Sequence, residues 1–162
     1  MKAVYINPFL NAAYNVIKDV AGLEARKGEL RLESSPIKGN EVNVVIGVTG
    51  DLTGQIIFCL TEETALVLAS KMLFALATDT FDELAKSAIG ELGNMIIGNA
   101  VTELAGKGYI CDLTPPALFI GRNVTVSTAA AQFLVIPFEM DIGKLDINVA
   151  LQESAPEDRE EF

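Results

Sequence analysis

Ser87, Glu91 and Asn94 put a hydroxyl, a carboxylate and a carboxamide at spacings of four and three residues inside one long run of helix-forming sequence. At about 100° per residue they share a polar arc with Glu83, Gly90 and Gly98. Ala85, Ala88, Ile89, Leu92, Met95, Ile96 and Ala100 fill the opposite arc, the side that faces a core. Such a face can hydrogen-bond and can place one negative charge. The chain contains no His at all, so His-based triads, His general bases and His-ligated metals are excluded.

The glycines on this helix need a reason, because each costs about 1 kcal/mol relative to Ala. A missing side chain lets another surface come close. That surface is either a neighbouring element of the same chain or a partner. Gly93 fits both readings equally, whereas Gly90 and Gly98 share the polar face and point to a partner. Glu91 and Asn94 likewise fit either a solvated face or a site. A solvated face is the usual meaning of such a pair, and Asn, a poor helix former because its side chain competes for backbone bonds, adds some weight to a site. Asn99 projects nearer the core arc and reads as a structural, hydrogen-bonded residue.

The elements that must hold this face follow from the pattern. A first helix is expected over Tyr5 to Val20, with Phe9, Ala13, Val16 and Ile17 on one side and Gly22 as its stop. Glu29 to Glu33 alternates as a half-exposed strand, while Val42 to Val48 and Gln55 to Leu60 are nearly continuous apolar runs with both faces covered. Gly50 and Gly54 fit a tight hairpin between those two runs. A second helix, about Glu62 to Leu76, is capped by Thr61. Thr80 and Glu83 form a capping box that opens the long helix, about Phe81 to Ala105. Asn123 to Ala129, Phe133 to Phe138 and Leu145 to Leu151 are strands. Strands in groups predict an α+β fold, a largely antiparallel sheet of about six strands packed with about three helices. The two halves resemble each other faintly, each running from helix to strands.

The 162 residues, 50% apolar and 21% charged, fit one folded domain. Residues 1–152 make that domain. Residues 153–162 read as an acidic, disordered tail with five acids (Glu153, Glu157, Asp158, Glu160, Glu161) against Arg159. With 12 Lys and Arg against 22 Asp and Glu, the net charge of −10 argues against nucleic acid and against an anionic membrane surface. Cys59 and Cys111 are too far apart for a metal knot or redox pair and read as reduced core thiols. No secretory signal is apparent, and the best membrane candidate, Ala65 to Ala77, is short and broken by Lys71. A cytoplasmic location is expected.

The stretch Glu83-Leu84-Ala85-x-Ser87-Ala88-Ile89-Gly90-Glu91-Leu92-Gly93-Asn94, with Thr114-Pro115-Pro116 downstream, resembles the CheC/CheX/FliY family of response-regulator phosphatases and is most similar to the CheX branch. The signature is Ser87-x3-Glu91-x2-Asn94 followed by Pro116. CheC-type members carry two such helices. Here Asn15 in the first helix has Ala12 three residues before it, not Glu, with Pro36 at a comparable distance after it. One site is therefore expected.

The resemblance implies a CheC-like fold with pseudo-twofold halves. It also implies hydrolysis of the aspartyl phosphate of a CheY-type response regulator, in chemotaxis or another two-component pathway. An aspartyl phosphate is an activated acyl phosphate, so the remaining task is to hold a water in line with phosphorus. Asn94 is expected to orient that water, since a carboxamide offers it both donor and acceptor. Glu91 would pair with a cation at the regulator's active site, and Ser87 would support it. Gly90 and Gly98 would seat the regulator's loops, and Pro116 would shape a nearby turn. No cofactor or metal of the chain's own is expected; Mg²⁺ would come with the phosphorylated partner. A homodimer is expected, through sheet edges at Glu29 to Glu33 or Leu145 to Leu151. The rival readings are a non-catalytic adaptor for a response regulator or flagellar-switch component, and a small-molecule sensor.

Overall fold

A computed structural model describes residues 2–74, 79–129 and 132–156. Three helices, α1 (Ala3–Ala21), α2 (Glu62–Leu73) and α3 (Glu83–Gly106), lie against one face of an antiparallel sheet. The first half supplies β1 (Arg26–Lys27), β2 (Arg31–Ser34), β3 (Ile37–Lys38), β4 (Val42–Gly50) and β5 (Leu52–Leu60). The second supplies β6 (Cys111–Leu113), β7 (Ala117–Ile120), β8 (Thr125–Val126), β9 (Gln132–Met140) and β10 (Gly143–Glu153). The main sheet has eight strands in the order β1-β9-β10-β5-β4-β6, with β2 also on β9 and β7 also on β4. Short edge strands take the count beyond the expected six; the α+β class holds.

The apolar runs are covered on the helix side and only in part on the other, where Val45, Gly47 and Gln55 are half-buried, so the expectation of two fully covered faces is corrected. Val42, Val44, Ile46 and Val48 of β4 turn toward the helices together with Ile56 and Phe58 of β5. On the other face Ile57, Cys59, Phe133 and Ala150 form a smaller cluster with Ile37, at the two-stranded β3–β8 ribbon. Asn43 is fully buried on that side. It donates to the carbonyls of Asn40 and Phe119 at 2.7 and 3.0 Å and accepts from the Asn40 N–H at 2.8 Å, tying β4 to β7.

The halves are related by a pseudo-twofold visible in the pairing. The order α1-β1-β2-β3-β4-β5 repeats as α3-β6-β7-β8-β9-β10. The short strands cross over: β1 and β2 pair with β9, and β6 and β7 with β4. β3 pairs with β8 and β5 with β10 across the axis, and α1 packs on α3.

Several expectations are corrected. The cap of α3 is Asp82, whose carboxylate accepts from the Ala85 N–H at 2.9 Å, not Thr80. Asn123 to Ala129 contributes only the two residues of β8, and the left-handed backbone of Asn123 (φ 59) keeps the strand from starting where expected. Leu145 to Leu151 lies inside β10, flanked by β5 and β9, and offers no edge. The folded domain runs past its expected end at residue 152. Glu153 ends β10 and accepts from the hydroxyls of Tyr5 and Tyr109, and Ser154 is buried, bonded to the Gly50 carbonyl. Residues 157–162 lie outside the described residues, as do 75 and 76 at the expected end of α2. Among the described residues no helix is long and apolar enough to cross a membrane.

Candidate functional site

α3 runs 24 residues from the Asp82 cap, with Glu83 in its first turn favourably set against the helix dipole. Its glycines divide by the surface each meets. A side chain at Gly93 would come within 3.3 Å of Val44 and 3.4 Å of Phe58, so this glycine presses the helix onto β4 and β5. Gly90 is buried, and a side chain there would meet Leu118 at 3.3 Å and Pro116 at 3.7 Å. The close approach at Gly90 is therefore made by the chain's own β7 segment. Gly98 differs: nothing lies within 4 Å of the position a side chain would take. It is the glycine of this helix's polar face that remains open to another molecule.

With two glycines drawn inward, the other side of α3 is turned outward. Ser87 and Glu91 are exposed, Asn94 and Gly98 half-buried. Neither Glu91 nor Asn94 is held by a hydrogen bond or an ion pair with a described residue, so both functional groups are available. Lys86, the nearest cation in sequence, is taken by Glu83 at 3.2 Å. Pro116 stands beside this face against Gly90, one residue before Glu91. Its position is fixed from below: the Thr114 Oγ1 accepts from the Gly47 N–H at 2.7 Å, and the Thr114 N–H donates to the Gly47 carbonyl at 3.0 Å.

The structure thus brings Ser87, Glu91, Asn94 and Gly98 onto one face and sets Pro116 next to it, while Gly90 lies beneath. Two residues beside this face, quoted above only as part of the family-like stretch, were given no place at it. Leu84 is 42% exposed and lies two turns before Glu91 on the same line of the helix; its spacing of seven residues was the available signal. Thr114 is the second, and only tertiary pairing reveals its hold on Gly47. Asn99 is exposed rather than structural, although its angle on the helix falls between those of buried Ala88 and Leu92.

The first half has no counterpart site. Gly22 and Gly108 follow α1 and α3 with left-handed backbones (φ 66 and 95) and mark equivalent points. Counting back fourteen residues from Gly108 gives Asn94, and from Gly22 gives Pro8; Glu91 likewise corresponds to Tyr5. Pro8 and Tyr5 are both buried. The Tyr5 hydroxyl is bound to Glu153, and its pKa is raised first by burial and then by that carboxylate. Asn15, exposed further along α1, is not the equivalent of Asn94. Pro36 follows β2, whereas Pro116 precedes β7, so the two prolines do not correspond either.

Cysteine chemistry is also absent here. Burial pushes the Cys59 thiol up to about 12 and raises that of Cys111, so neither is a thiolate at neutral pH. Among the described residues no group of three or more Cys, Asp or Glu is placed to hold a metal ion.

The family described as chemotaxis phosphatase CheX matches residues 42–139. A curated relative from Thermotoga maritima, named CheY-P phosphatase CheX, is 36% identical over 128 residues, covering 79% of this chain and 83% of the relative. A chain in the crystal structure of the CheX-CheY-BeF3-Mg+2 complex from Borrelia burgdorferi superposes with a TM-score of 0.79 at 38% identity, over 92% of this chain and 98% of that one. A CheC-like superfamily protein from Shewanella sp. PV-4 gives a TM-score of 0.82 at 30% identity, over 94% and 99% of the two chains. The chain belongs to the CheX family of chemotaxis phosphatases.

Proposed function

We infer that this chain hydrolyses the aspartyl phosphate of a CheY-type response regulator and so terminates a chemotaxis signal. The relative named CheY-P phosphatase and the CheX-CheY complex carry the reading at the level of family. At the level of residues one observation carries it: Glu91 and Asn94 stand one turn apart on an outward face of a capped helix, and neither is hydrogen-bonded or ion-paired to another described residue. An acyl phosphate is a reactive electrophile, and what hydrolysis lacks is a water held in line with phosphorus. The Asn94 carboxamide accepts from that water and donates to it. Glu91 pairs with a cation of the regulator and sets the register of the helix on it. Ser87 adds a hydrogen bond at one end of the contact, and the bare backbone at Gly98 admits a regulator loop at the other. Pro116, held by Gly90 and Thr114, keeps the flank of the site in place. Any Mg²⁺ requirement is met in the phosphorylated partner, and the setting is cytoplasmic.

The same reading includes a homodimer. Of the two sheet edges, β2 is guarded by charge: Arg31 and Glu33 pair at 2.8 Å on either side of exposed Leu32. β7 has no such guard and exposes Phe119 at 52% and Ile120 at 41%. β7 is the edge that a second copy would extend. Sedimentation equilibrium checks this: Ile120→Lys should yield monomer, and an unaltered mass would remove β7 from the interface.

The deciding experiment is loss of phosphate from a phosphorylated CheY-type receiver with this protein and with Asn94→Ala. Acceleration by the natural chain and none by the variant is the expected result. Equal acceleration by both would put water positioning on another residue. Binding without acceleration by either would make the chain an adaptor.

A further inference from the structure

Where β6 gives way to β7, the pairing with β4 changes register. Val48 lies opposite Leu113, and Val45 lies opposite Ala117. Between those pairs β4 has Ile46 and Gly47, while the opposing chain has Thr114, Pro115 and Pro116. The Thr114 N–H donates to the Gly47 carbonyl at 3.0 Å and keeps the first register, so Pro115 and Pro116 both stand opposite Ile46. This is a β-bulge, a feature that re-aims side chains. Before it the odd-numbered Cys111 and Leu113 turn toward the helices, and after it the even-numbered Pro116 and Leu118 do. Without the extra residue Pro115 would face α3 in place of Pro116.

Pro115 and Pro116 have no N–H, so within the bulge only Thr114 can donate to β4. Its side chain also replaces a backbone group. The Gly47 N–H donates to the Thr114 Oγ1 at 2.7 Å, where a regular ladder would use the Thr114 carbonyl. The fit is close, since a side chain at Gly47 would come within 2.9 Å of the Thr114 Cγ2. Pro116 then rests on Gly90, with Glu91 next in the chain and Asn94 one turn on. We propose that Thr114 is a positioning residue for the phosphatase reaction: by pinning the bulge it holds Pro116 against Gly90 and sets the angle at which α3 presents Asn94. Productive geometry must be kept to within about 0.5 Å, and a slackened bulge lets α3 turn about its axis and carry the carboxamide off line. The kinetic consequence rests on the function inferred above; the hold of the bulge on the helix does not.

The test compares phosphate release from a phosphorylated CheY-type receiver, over a range of receiver concentrations, for the natural chain, Thr114→Val, Thr114→Ser and Gly47→Ala. Val keeps the shape of Thr at an exposed position and removes only the hydroxyl, so the fold is retained. Thr114→Val should lower kcat about tenfold or more with KM unchanged, because a misplacement of about 1 Å can cost about a hundredfold. Thr114→Ser, which keeps the hydroxyl, should restore most of the rate. Gly47→Ala, which displaces Thr114 from the other side of the contact, should act like Thr114→Val. In the free chain the ¹H–¹⁵N amide signals of Glu91 and Asn94 should move in the two slow variants and return in Thr114→Ser. An unchanged kcat in Thr114→Val, a raised KM alone, or shifts confined to the surroundings of Gly47 would overturn the proposal. No acceleration by the natural chain would instead defeat the phosphatase reading, and the Glu91 and Asn94 signals would then decide by themselves whether Thr114 sets the helix.

Discussion

Gly98→Ala should make the protein more stable and a worse phosphatase. The position is in the interior of α3, its φ is helical, and beyond the helix's own backbone and its two chain neighbours no atom of a described residue lies within 4 Å of where the new methyl would sit. The substitution therefore meets no resistance in the free protein and recovers the helix-propensity difference of about 1 kcal/mol. For a chain of this size that is a rise in Tm of about 2–4 °C. The bond from the Thr102 hydroxyl to the Gly98 carbonyl, 2.9 Å, is untouched. Against a closely seated regulator the same methyl is an intruder, and overpacking typically costs about 1–3 kcal/mol. At about 1.4 kcal/mol per tenfold, affinity for the phosphorylated regulator falls about 5- to 150-fold. Calorimetry supplies the first number, and phosphate release over a range of regulator concentrations supplies the second, as a raised KM. Gly90→Ala is the internal comparison. Its methyl must share space with Leu118 at 3.3 Å, so its gain in stability should be smaller. If Gly98→Ala raises Tm and leaves KM unchanged, no partner approaches there and the footprint inferred for the regulator is wrong. An unchanged Tm would refute the claim that the position is open.

Two further outcomes test the framework that holds the site. Asp82→Ala should lower stability by about 1 kcal/mol in urea unfolding through loss of the cap on Ala85, and an unchanged midpoint would refute the cap. Asp146, on β10, has its carboxyl raised chiefly by burial, with the Arg31 guanidinium and Lys144 pulling it down to a lesser extent. A carboxyl raised on folding contributes stability that is fully present below its unfolded pKa, about 3.9, and is lost as pH rises through the folded value. The Tm of Asp146→Asn relative to the natural chain should therefore increase between about pH 3 and pH 7. A difference that stays flat or falls would mean that Arg31 outweighs burial.

Much of this fold was legible because its signals are local. The three-to-four spacing of Phe9, Ala13, Val16 and Ile17 and the apolar runs of β4 and β5 follow from what a helix or a central strand must bury. The misreadings arose where two local signals competed. Thr80 and Asp82 both precede α3 and either side chain can cap; the path of the chain into the helix selects Asp82. The alternation of Leu145 to Leu151 suggested an exposed edge, yet polar residues in that run do not face solvent as a set. Asn148 is buried, donating to the Ile57 carbonyl at 3.0 Å, which alternation alone does not reveal.

The candidate site divides in the same way. Ser87, Glu91 and Asn94 could be put on one face from the sequence alone, because their spacing and the pitch of an α-helix determine their angles. That face could also be linked to a family, because the helix motif and the later proline occur together. Which glycines serve the chain and which remain for a partner was decided by tertiary structure. Gly90, Gly93 and Gly98 are alike in sequence; Pro116 and Leu118 come to rest on the first, β4 and β5 on the second, and nothing on the third. The absence of a site in the first half was decided there too, by a pseudo-twofold that equates Asn94 with buried Pro8. Local spacing sets what a helix presents, and long-range pairing of strands sets what lies against it.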